Sequence, residues 1–474
     1  MAKGGVKKGF ATYLFILLLL IVAAFLVVIV VMLFSPFKNV LGFQYMIYET
    51  DGEPIYRTSA NETISYSEIE EININCGYAN VVVERSQEVD RDAVKVENRC
   101  KGFANSSDNT NFSIDIYFSD AGNSILNIDV TEPEGFLFFD REITISILVP
   151  AQSSYALSNT AINITNTSGN IVIGNATALS NNPDVTGILS YIDVNSLNLR
   201  TDSGQISLNR YLNGTFNDMF IKSNTGRVVS YISDMTISNN FELHTSSGNV
   251  EFTNLTYTNA RGKGIVLDLN NGEFQANTLS GYVVLNMDSG YLDITNLQGS
   301  LNANDSVVQM NDATLTIDSV EGDISLPFAN NSTINIGEMS TNSQIYVRGT
   351  DSRVQVQALR GKGFIETTSG DINIHSYADD LSIKTESGNM NIIYESPVIN
   401  NEVNLTSQSG DINLSVLGSL AFALYAYDAN GNDSSNIDVQ WQADVFSNPL
   451  VVNNGSKYIN VTTNGIINVS LIED

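Results

Sequence analysis

The sequence predicts an all-β chain in which one N-terminal transmembrane α-helix carries a parallel β-solenoid, also called a β-helix. Three observations favour this fold class. A long apolar run stands near the first residue, apolar and polar residues alternate through most of the remaining chain, and glycines recur there at a nearly regular spacing. Alternation is the period of a strand with one buried face, and regular spacing over 18 to 24 residues or so is typical of stacked repeats.

The apolar run extends from Tyr13 to Phe34 and contains no charged residue. About 22 helical residues span roughly 33 Å, which is enough to cross a hydrocarbon core of about 30 Å. Three lysines, Lys3, Lys7 and Lys8, precede the run. Under the positive-inside rule they predict a cytoplasmic N-terminus and an extracellular C-terminal ectodomain, on a single-pass cell-membrane protein.

Two other interpretations of this segment are less consistent with the residues. A cleavable signal peptide has a shorter apolar core and a small-residue cleavage site. The sequence Lys8-Gly9-Phe10 resembles a prepilin processing site, but Leu14 stands where pilins usually carry a glutamate. The anchor is therefore expected to be retained.

Composition shifts divide the rest of the chain into segments. The sequence predicts a cytoplasmic stub (1–9), a transmembrane helix (10–34), a membrane-proximal connector with the first strands (35–75), an N-terminal β cap with the cysteine pair (76–150), solenoid repeats (151–415) and a C-terminal β cap (416–474).

The chain is strongly acidic, with 52 Asp and Glu against 23 Lys and Arg and a formal charge of -29. Phosphate backbones require a basic stripe, and none follows residue 38, so nucleic acid is excluded as a partner. The same charge disfavours lying flat on anionic lipid. A solvated, mutually repelling outer surface accounts for the acidity.

Cys76 and Cys100 are the two cysteines. In an exported domain, two thiols predict one disulfide. It would close a loop of about 25 residues and contribute roughly 3 kcal/mol in the chain-entropy treatment. No histidine lies near either cysteine in the sequence, which argues against a metal site there.

Asn-x-Ser/Thr sequons follow the apolar run and are candidate N-glycosylation sites on an exposed ectodomain. They are Asn61, Asn105, Asn111, Asn163, Asn175, Asn213, Asn254, Asn331, Asn404, Asn460 and Asn468.

A glycine-centred repeat begins near residue 155. Around Gly248, apolar residues stand seven and five positions before the glycine and two and four positions after it. The same frame fits Gly169, Gly204, Gly290, Gly322, Gly388 and Gly410, fits Gly370 on its C-terminal side, and fits Gly226 and Gly272 mainly on the N-terminal side. Each glycine is predicted to form a corner with φ > 0 between two strands that face one core.

No single unit of this kind can bury its apolar face alone, so the units must stack. Between residues 155 and 415 the spacing allows roughly a dozen coils, or a rod about 60 Å long at about 4.8 Å per coil. A sandwich of antiparallel hairpins is the alternative. The corners mostly lack the paired Asn-Gly chemistry of tight hairpins, which favours the solenoid.

The strand Ile145-Ser-Ile-Leu-Val-Pro150 and the serial Ser-Gly corners that follow it resemble the adhesin domain family, a domain of unknown function with Ser-Gly-Asp/Asn corners between short strands. The corner units are Thr167-Ser-Gly-Asn170, Ser246-Ser-Gly-Asn249, Thr368-Ser-Gly-Asp371, Glu386-Ser-Gly-Asn389 and Gln408-Ser-Gly-Asp411. The resemblance covers roughly residues 70–415. It implies a β-solenoid, often tethered to a membrane, with an adhesive role and no catalytic residues.

Catalytic motifs are scarce. His244 and His375 are the two histidines, each at a polar strand position, and the sequence has no phosphate-binding loop or zinc spacing. Aspartates recur at the corners, namely Asp202, Asp288, Asp323, Asp371 and Asp411. In register they would form an acidic ladder able to hold calcium, although aspartate also simply favours turns. No other cofactor is predicted.

The sequence therefore favours a non-enzymatic cell-surface protein for adhesion or envelope structure, with surface glycans or proteins as candidate partners. A membrane-tethered, glycan-active enzyme related in fold to the β-helix lyases is the first alternative. A sensory ectodomain is the second, and it would need a membrane partner because the cytoplasmic stub is too short for a signalling domain.

Overall fold

The computed structural model describes residues 13–23, 39–40, 43–51, 69–89, 92–105, 113–131, 137–150, 157–177, 191–259, 261–302, 310–377, 380–399, 401–441 and 446–473. Residues 13–23 are helical and solvent-exposed. The predicted transmembrane helix at 10–34 thus falls partly outside the described residues. Among the residues that are described, no helix is both long and apolar enough to cross a membrane.

All other described elements are strands. The first eight are β1 (Asn39–Val40), β2 (Phe43–Asp51), β3 (Glu71–Cys76), β4 (Asn80–Ser86), β5 (Ala93–Asn105), β6 (Ser113–Phe118), β7 (Ile125–Thr131) and β8 (Leu137–Pro150). The next twelve are β9 (Leu157–Asn166), β10 (Ile171–Thr177), β11 (Val194–Thr201), β12 (Ile206–Leu208), β13 (Thr215–Ser223), β14 (Val228–Ser230), β15 (Asp234–Thr245), β16 (Asn249–Tyr257), β17 (Ile265–Asn270), β18 (Glu273–Ser280), β19 (Val283–Asp288) and β20 (Tyr291–Gln298).

The remaining strands extend from residue 301 to residue 472. They are β21 (Leu301–Asn302), β22 (Met310–Asn311), β23 (Thr314–Val320), β24 (Ile324–Leu326), β25 (Ala329–Asn330), β26 (Thr333–Met339), β27 (Gln344–Gly349), β28 (Arg353–Leu359), β29 (Lys362–Thr367), β30 (Ile372–Ser376), β31 (Leu381–Thr385), β32 (Met390–Tyr394), β33 (Val403–Ser407), β34 (Ile412–Leu417), β35 (Phe422–Tyr427), β36 (Ile437–Val439), β37 (Leu450–Val452), β38 (Tyr458–Thr462) and β39 (Ile467–Ile472).

Parallel pairing between successive coils builds two long faces. On the first face the strands stack in the order β7, β3, β9, β11, β13, β15, β17, β19, β21, β24, β27, β29, β31, β33, β38 and β35. On the second face they stack in the order β8, β4, β10, β12, β14, β16, β18, β20, β23, β26, β28, β30, β32, β34, β39 and β36.

A shorter third side of the solenoid is formed where the end of a second-face strand pairs with the start of a long first-face strand. Residues 234–237 of β15, for example, pair with residues 254–257 of β16. One apolar core runs inside the stack, and Phe241, Leu243 and Val250 are fully buried in it. The described antiparallel strand pairs lie at the two ends of the stack. The prediction of an all-β chain with a long, predominantly parallel sheet is confirmed, and the hairpin sandwich is not observed.

The order of the coils in space differs from their order in sequence at both ends. The coil of β3 and β4 lies between the coil of β7 and β8 and the coil of β9 and β10. At the other end, β38 and β39 insert between β33 and β34 on one side and β35 and β36 on the other. The predicted caps at 76–150 and 416–474 thus each contribute strands that continue the solenoid faces.

The corner glycines have a different physical role from the one predicted. At the corner between the two faces, Gly204, Gly226 and Gly248 stack in series above Gly169. Farther along the same corner, Gly388 and Gly410 stack in series above Gly370. None of these glycines has φ in the left-handed region. In each of these stacks a Cβ would overlap the backbone carbonyl of the coil beneath, as Gly204 would overlap Gly169. Close stacking, and not a left-handed turn, therefore requires glycine here.

Residues with φ in the left-handed region do occur at this corner in the middle coils. Each stands one position before the residue that occupies the place of the corner glycine. They are Asn271, Ser289, Asp312, Asn331 and Asp351. Gly322 stacks on Gly299, and Gly299 on Gly281, at a different corner, where the chain passes from the second face towards the first. Gly322 therefore does not share the column of the other repeat glycines.

Candidate functional site

Outward-facing polar side chains form a row across the first face. Arg200, Lys222, His244, Asp268 and Asn286 occupy equivalent positions of β11, β13, β15, β17 and β19 and align in register. The inward neighbours of these residues fill the core, so alternation alone turns this set towards solvent. Because each coil repeats the register, the row runs along the stack.

A groove of about 530 Å³ lies on this row and includes Lys222, His244, Asp268 and Asp288 in its lining. We call it the His244 groove. His244 Nδ1 lies 3.0 Å from Asp268 Oδ2, and Asn286 Nδ2 donates to Asp268 Oδ1 over 2.9 Å. The hydrogen bond from His244 is the main cause that lowers the pKa of Asp268, and burial opposes it. The carboxylate is thus held ionised by its neighbours.

We expect the carboxyl of Asp268 to titrate below its ordinary range and to return towards it in a His244→Phe variant. A carboxyl whose folded pKa is depressed adds stability above its ordinary pKa, and the addition is lost as the pH falls through the folded pKa. Carbon-13 NMR titration of the side-chain carboxyls measures this directly. An Asp268 titration that is unchanged in His244→Phe would show that the histidine is not the cause.

A second groove, of about 470 Å³, lies farther along the same face. We call it the Phe328 groove, and its lining includes Phe328, Asn330, Arg348, Glu366 and Lys384. Lys384 Nζ donates to Glu366 Oε1 over 2.9 Å, and Arg348 Nε lies 3.3 Å from Glu366 Oε2. The bond from Lys384 is the largest cause that lowers the pKa of Glu366. One carboxylate therefore orders two cationic side chains.

An aromatic pair lies on the two strands that carry Arg348 and Glu366. The rings of Tyr346 and Phe364, on β27 and β29, stack with centroids 5.1 Å apart and planes 7° apart. They stand two residues before Arg348 and Glu366 on the same strands, so they face the same way. Phe328 is 46% exposed at the edge of the groove. The first face thus offers apolar ring surface beside charged groups.

The second face carries an amide ladder. Asn391 Nδ2 donates to Asn373 Oδ1 over 2.7 Å, Asn413 to Asn391 over 2.8 Å, and Asn468 to Asn413 over 2.8 Å. Successive coils place identical side chains about 4.8 Å apart, which lets the amides bond in series. The ladder ties neighbouring coils together on their solvent side.

Several sequons fall inside such ladders, at mid-strand positions. The side chain of Asn163 donates to Asn73, that of Asn460 to Asn404, and that of Asn468 to Asn413. Asn213 and Asn331 are exposed, whereas Asn175 and Asn254 are partly buried. Asn61, Asn111 and the side chain of Asn105 lie outside the described residues. Glycosylation at any of these sites remains a prediction.

The corner aspartates do not converge. Asp371 Oδ1 accepts the backbone N–H of Asn389, and Asp411 Oδ1 accepts that of Ile466, so each carboxylate bonds the next coil. Asn389 stands between them in the column, because its Oδ1 accepts from the backbone of Asp411. Asp323 makes the same kind of bond, to Gln344, at the other corner.

The other two aspartates also lie apart from this column. Asp202 accepts from Asn224 over 2.8 Å, and Asp288 lies in the His244 groove. Within the described part of the chain, no group of three or more His, Cys, Asp or Glu side chains could hold a metal ion. The calcium ladder thus remains a prediction without a gathered ligand set.

The two histidines lie on different faces. His244 belongs to the first-face groove described above, and His375 is in β30 on the second face. His375 Nε2 lies 3.1 Å from Glu395 Oε2, and its ring stacks on Tyr377 with centroids 4.7 Å apart. The structure therefore does not bring the histidines together.

Cys76 is buried at the end of β3, and Cys100 is described only by its backbone in β5. β3 pairs with β7 and β9, whereas β5 pairs with β2 and β8. The disulfide between the two cysteines remains a prediction.

The sequence patterns did not predict the role of the buried Thr and Ser hydroxyls at the corners. A hydroxyl side chain three positions before the corner glycine accepts the glycine N–H in several coils, for example Thr201 to Gly204 over 3.0 Å and Ser407 to Gly410 over 2.8 Å. The signal that could have revealed them is the recurrence of Thr or Ser at that position. These side chains satisfy a backbone donor that the corner buries.

We expect Thr245→Val to lower the free energy of unfolding by about 1–3 kcal/mol, the cost of leaving a buried donor unpaired. Thr245 is buried, and its Oγ1 accepts the Gly248 N–H over 2.8 Å. Valine keeps the shape but not the acceptor, while Thr245→Ser keeps the acceptor and serves as control. Urea unfolding compares the two, and equal losses in both variants would exclude the hydroxyl as the cause.

Comparison with known proteins gives one family match. The family described as Toastrack DUF4097 matches residues 69–355, 329–445 and 362–469. No curated protein matches the chain.

Two solved structures resemble it only weakly. One is a candidate cell adhesion protein from Clostridium sporogenes ATCC 15579, with 8% identity, 91% of this chain and 100% of that chain covered, and a TM-score of 0.13. The other is a candidate adhesin from Bacteroides fragilis NCTC 9343, with 9% identity, coverages of 90% and 97%, and a TM-score of 0.14. TM-scores this low do not establish a shared fold.

Proposed function

The chain belongs to the Toastrack DUF4097 family, and from that premise we propose that it is a non-enzymatic, membrane-anchored cell-surface protein that acts in adhesion or envelope structure. The observation that carries the proposal is the first face of the solenoid. It presents a register-aligned row of polar and charged side chains with two grooves on it. A rigid face with repeated contact groups suits the binding of an extended partner better than the enclosure of a small substrate.

The proposed location rests on the sequence. The apolar run from Tyr13 to Phe34 would anchor the chain in the cell membrane, and the lysines before it would hold the N-terminus in the cytoplasm. In that arrangement the solenoid is extracellular, its two cysteines can form a disulfide, and its sequons are accessible to glycosylation. The proposed role requires no cofactor. It would be the same whether or not calcium binds at the corners.

Catalysis is not favoured by the groups that the structure gathers. Glycoside cleavage by two carboxylates needs an acid and a base or nucleophile on either side of one bond. Asp371 and Asp411 instead each bond the backbone of the next coil. His244 is paired with Asp268, and both oxygens of that carboxylate are engaged. A sensory role has no specific observation behind it.

Protease treatment of intact cells that express the full chain tests the location. We expect the protease to cleave the extracellular solenoid, while the N-terminus stays protected from cleavage. Adhesion of these cells to host cells, to one another and to immobilised envelope material, compared with cells lacking the chain, tests the role. A chain that is protected throughout, or expression that alters neither adhesion nor envelope integrity, would contradict the proposal.

A further inference from the structure

Building on the proposed surface role, we propose that the Phe328 groove is a binding subsite for a neutral pyranose unit of a glycan. Three features of the groove favour this ligand class: an exposed ring, polar groups held in position by their own contacts, and a balanced local charge.

The exposed ring is Phe328. Phe328 is exposed and not part of the buried core, and it lines a groove whose other side chains are mostly threonine, asparagine and charged residues. The C–H face of a pyranose is apolar and packs against aromatic rings, while its hydroxyls point outward from the ring edge. A ring beside a polar groove matches both parts of such a ligand.

The polar groups are ordered before any ligand arrives. Glu366 is bonded by Lys384 and Arg348 on its two sides, and Thr350 donates through its hydroxyl to Asn330 Oδ1 over 3.0 Å. Side chains that are already fixed lose less conformational entropy on binding. The lining includes donors (Arg348, Lys384) and an acceptor (Glu366), which suits hydroxyl groups, since each hydroxyl both donates and accepts.

The charge favours a neutral ligand. Arg348 and Lys384 carry two positive charges in the groove, and Glu366 and Glu386 carry two negative ones. The whole chain has a formal charge of -29 and repels polyanions at long range. Sulfated or uronic acid polymers are therefore disfavoured relative to neutral glycans.

The His244 groove fits this ligand less well. The Arg200 guanidinium lies 4.7 Å over the ring of Phe220, and the His244 ring lies 5.4 Å from it. The ring surface in that groove is thus already in contact with the protein's own side chains. Phe328 offers the freer ring of the two.

The test is an array of neutral, sulfated and uronic acid glycans probed with the detergent-solubilised full chain. We expect binding to one or more neutral glycans, weakened about tenfold or more by Phe328→Ala and by Glu366→Gln. Tyr231→Ala is the matched control, because Tyr231 is another exposed aromatic residue outside this groove, and it should leave binding unchanged. Circular dichroism verifies that each variant is folded.

Four outcomes would overturn the inference: no binding to any glycan, binding confined to anionic glycans, retention of affinity in both groove variants, or loss of affinity in Tyr231→Ala alone. The same variants in the cell-adhesion assay separate this inference from the proposed function. Adhesion that depends on the chain, together with any of these four outcomes on the array, leaves the surface role intact and removes only the glycan subsite.

Discussion

Replacing Gly388 by alanine is expected to destabilise the solenoid by about 2–4 kcal/mol, because the new methyl group has no space. An ideal Cβ at this position overlaps the carbonyl oxygen of Gly370 in the coil beneath and lies 2.8 Å from its carbonyl carbon. Neither atom can move cheaply, since β29 to β34 are held in parallel ladders on both sides of the corner. Urea unfolding followed by circular dichroism measures the loss.

Two further variants show whether close stacking is the cause of the destabilisation by Gly388→Ala. Gly122→Ala should cost much less, because the nearest atom to its new Cβ is the side-chain Oδ2 of Asp120 at 3.0 Å and no backbone atom of a neighbouring strand lies within 4 Å. Gly388→Asn should be at least as harmful as Gly388→Ala. Asparagine tolerates the left-handed conformation, so rescue by asparagine would mean that backbone conformation, and not close stacking, sets the requirement for glycine.

Deletion of residues 458–474 is expected to open the solenoid from that end. It removes β38 and β39, which are the parallel partners of β35 and β36 and which also cover β33 and β34. Four fully buried side chains are lost with them: Ile459, Val461, Ile467 and Val469. Each such side chain contributes about 1.5–3 kcal/mol when buried, as an upper estimate.

Amide hydrogen exchange resolves the expected pattern. Protection should disappear from β33 to β36 and persist in β13 to β20, because each coil contacts only its neighbours. Deletion of residues 473–474 leaves β39 intact and should change nothing. Full protection of β35 in the larger deletion would contradict the inserted-coil arrangement, and loss of protection throughout would show that the stack unfolds as one unit.

Much of the fold could be predicted from local pattern. Alternation places Phe241, Leu243 and Val250 inside and Glu242 and His244 outside, and the structure agrees because a parallel stack keeps the strand period in every coil. The spacing of apolar residues around each glycine likewise predicted where the corners lie. It could not distinguish the two different corners of the solenoid at which these glycines stack. Gly322 has the same apolar flanks as Gly290, because both corners join strands that face one core.

The candidate site could be predicted only in part. His244 was identified as a polar strand position, but its contact with Asp268 joins residues 24 positions apart, and only the register of β15 and β17 brings them together. The Phe328 groove could not be predicted, since its lining comes from separate coils that are brought together only by stacking. Likewise Asp323 resembles Asp371 in its local sequence but lies at another corner.

The sequence by itself determined the all-β class, the stacking of repeats, the buried and exposed alternation and the acidic surface, because strand period, glycine spacing and charge are local properties of the chain. Tertiary structure alone decided the coil order at the two ends, the stacking reason for glycine and the grooves of the first face. These depend on which strands become neighbours and in what register, and that choice follows from the packing of the whole core.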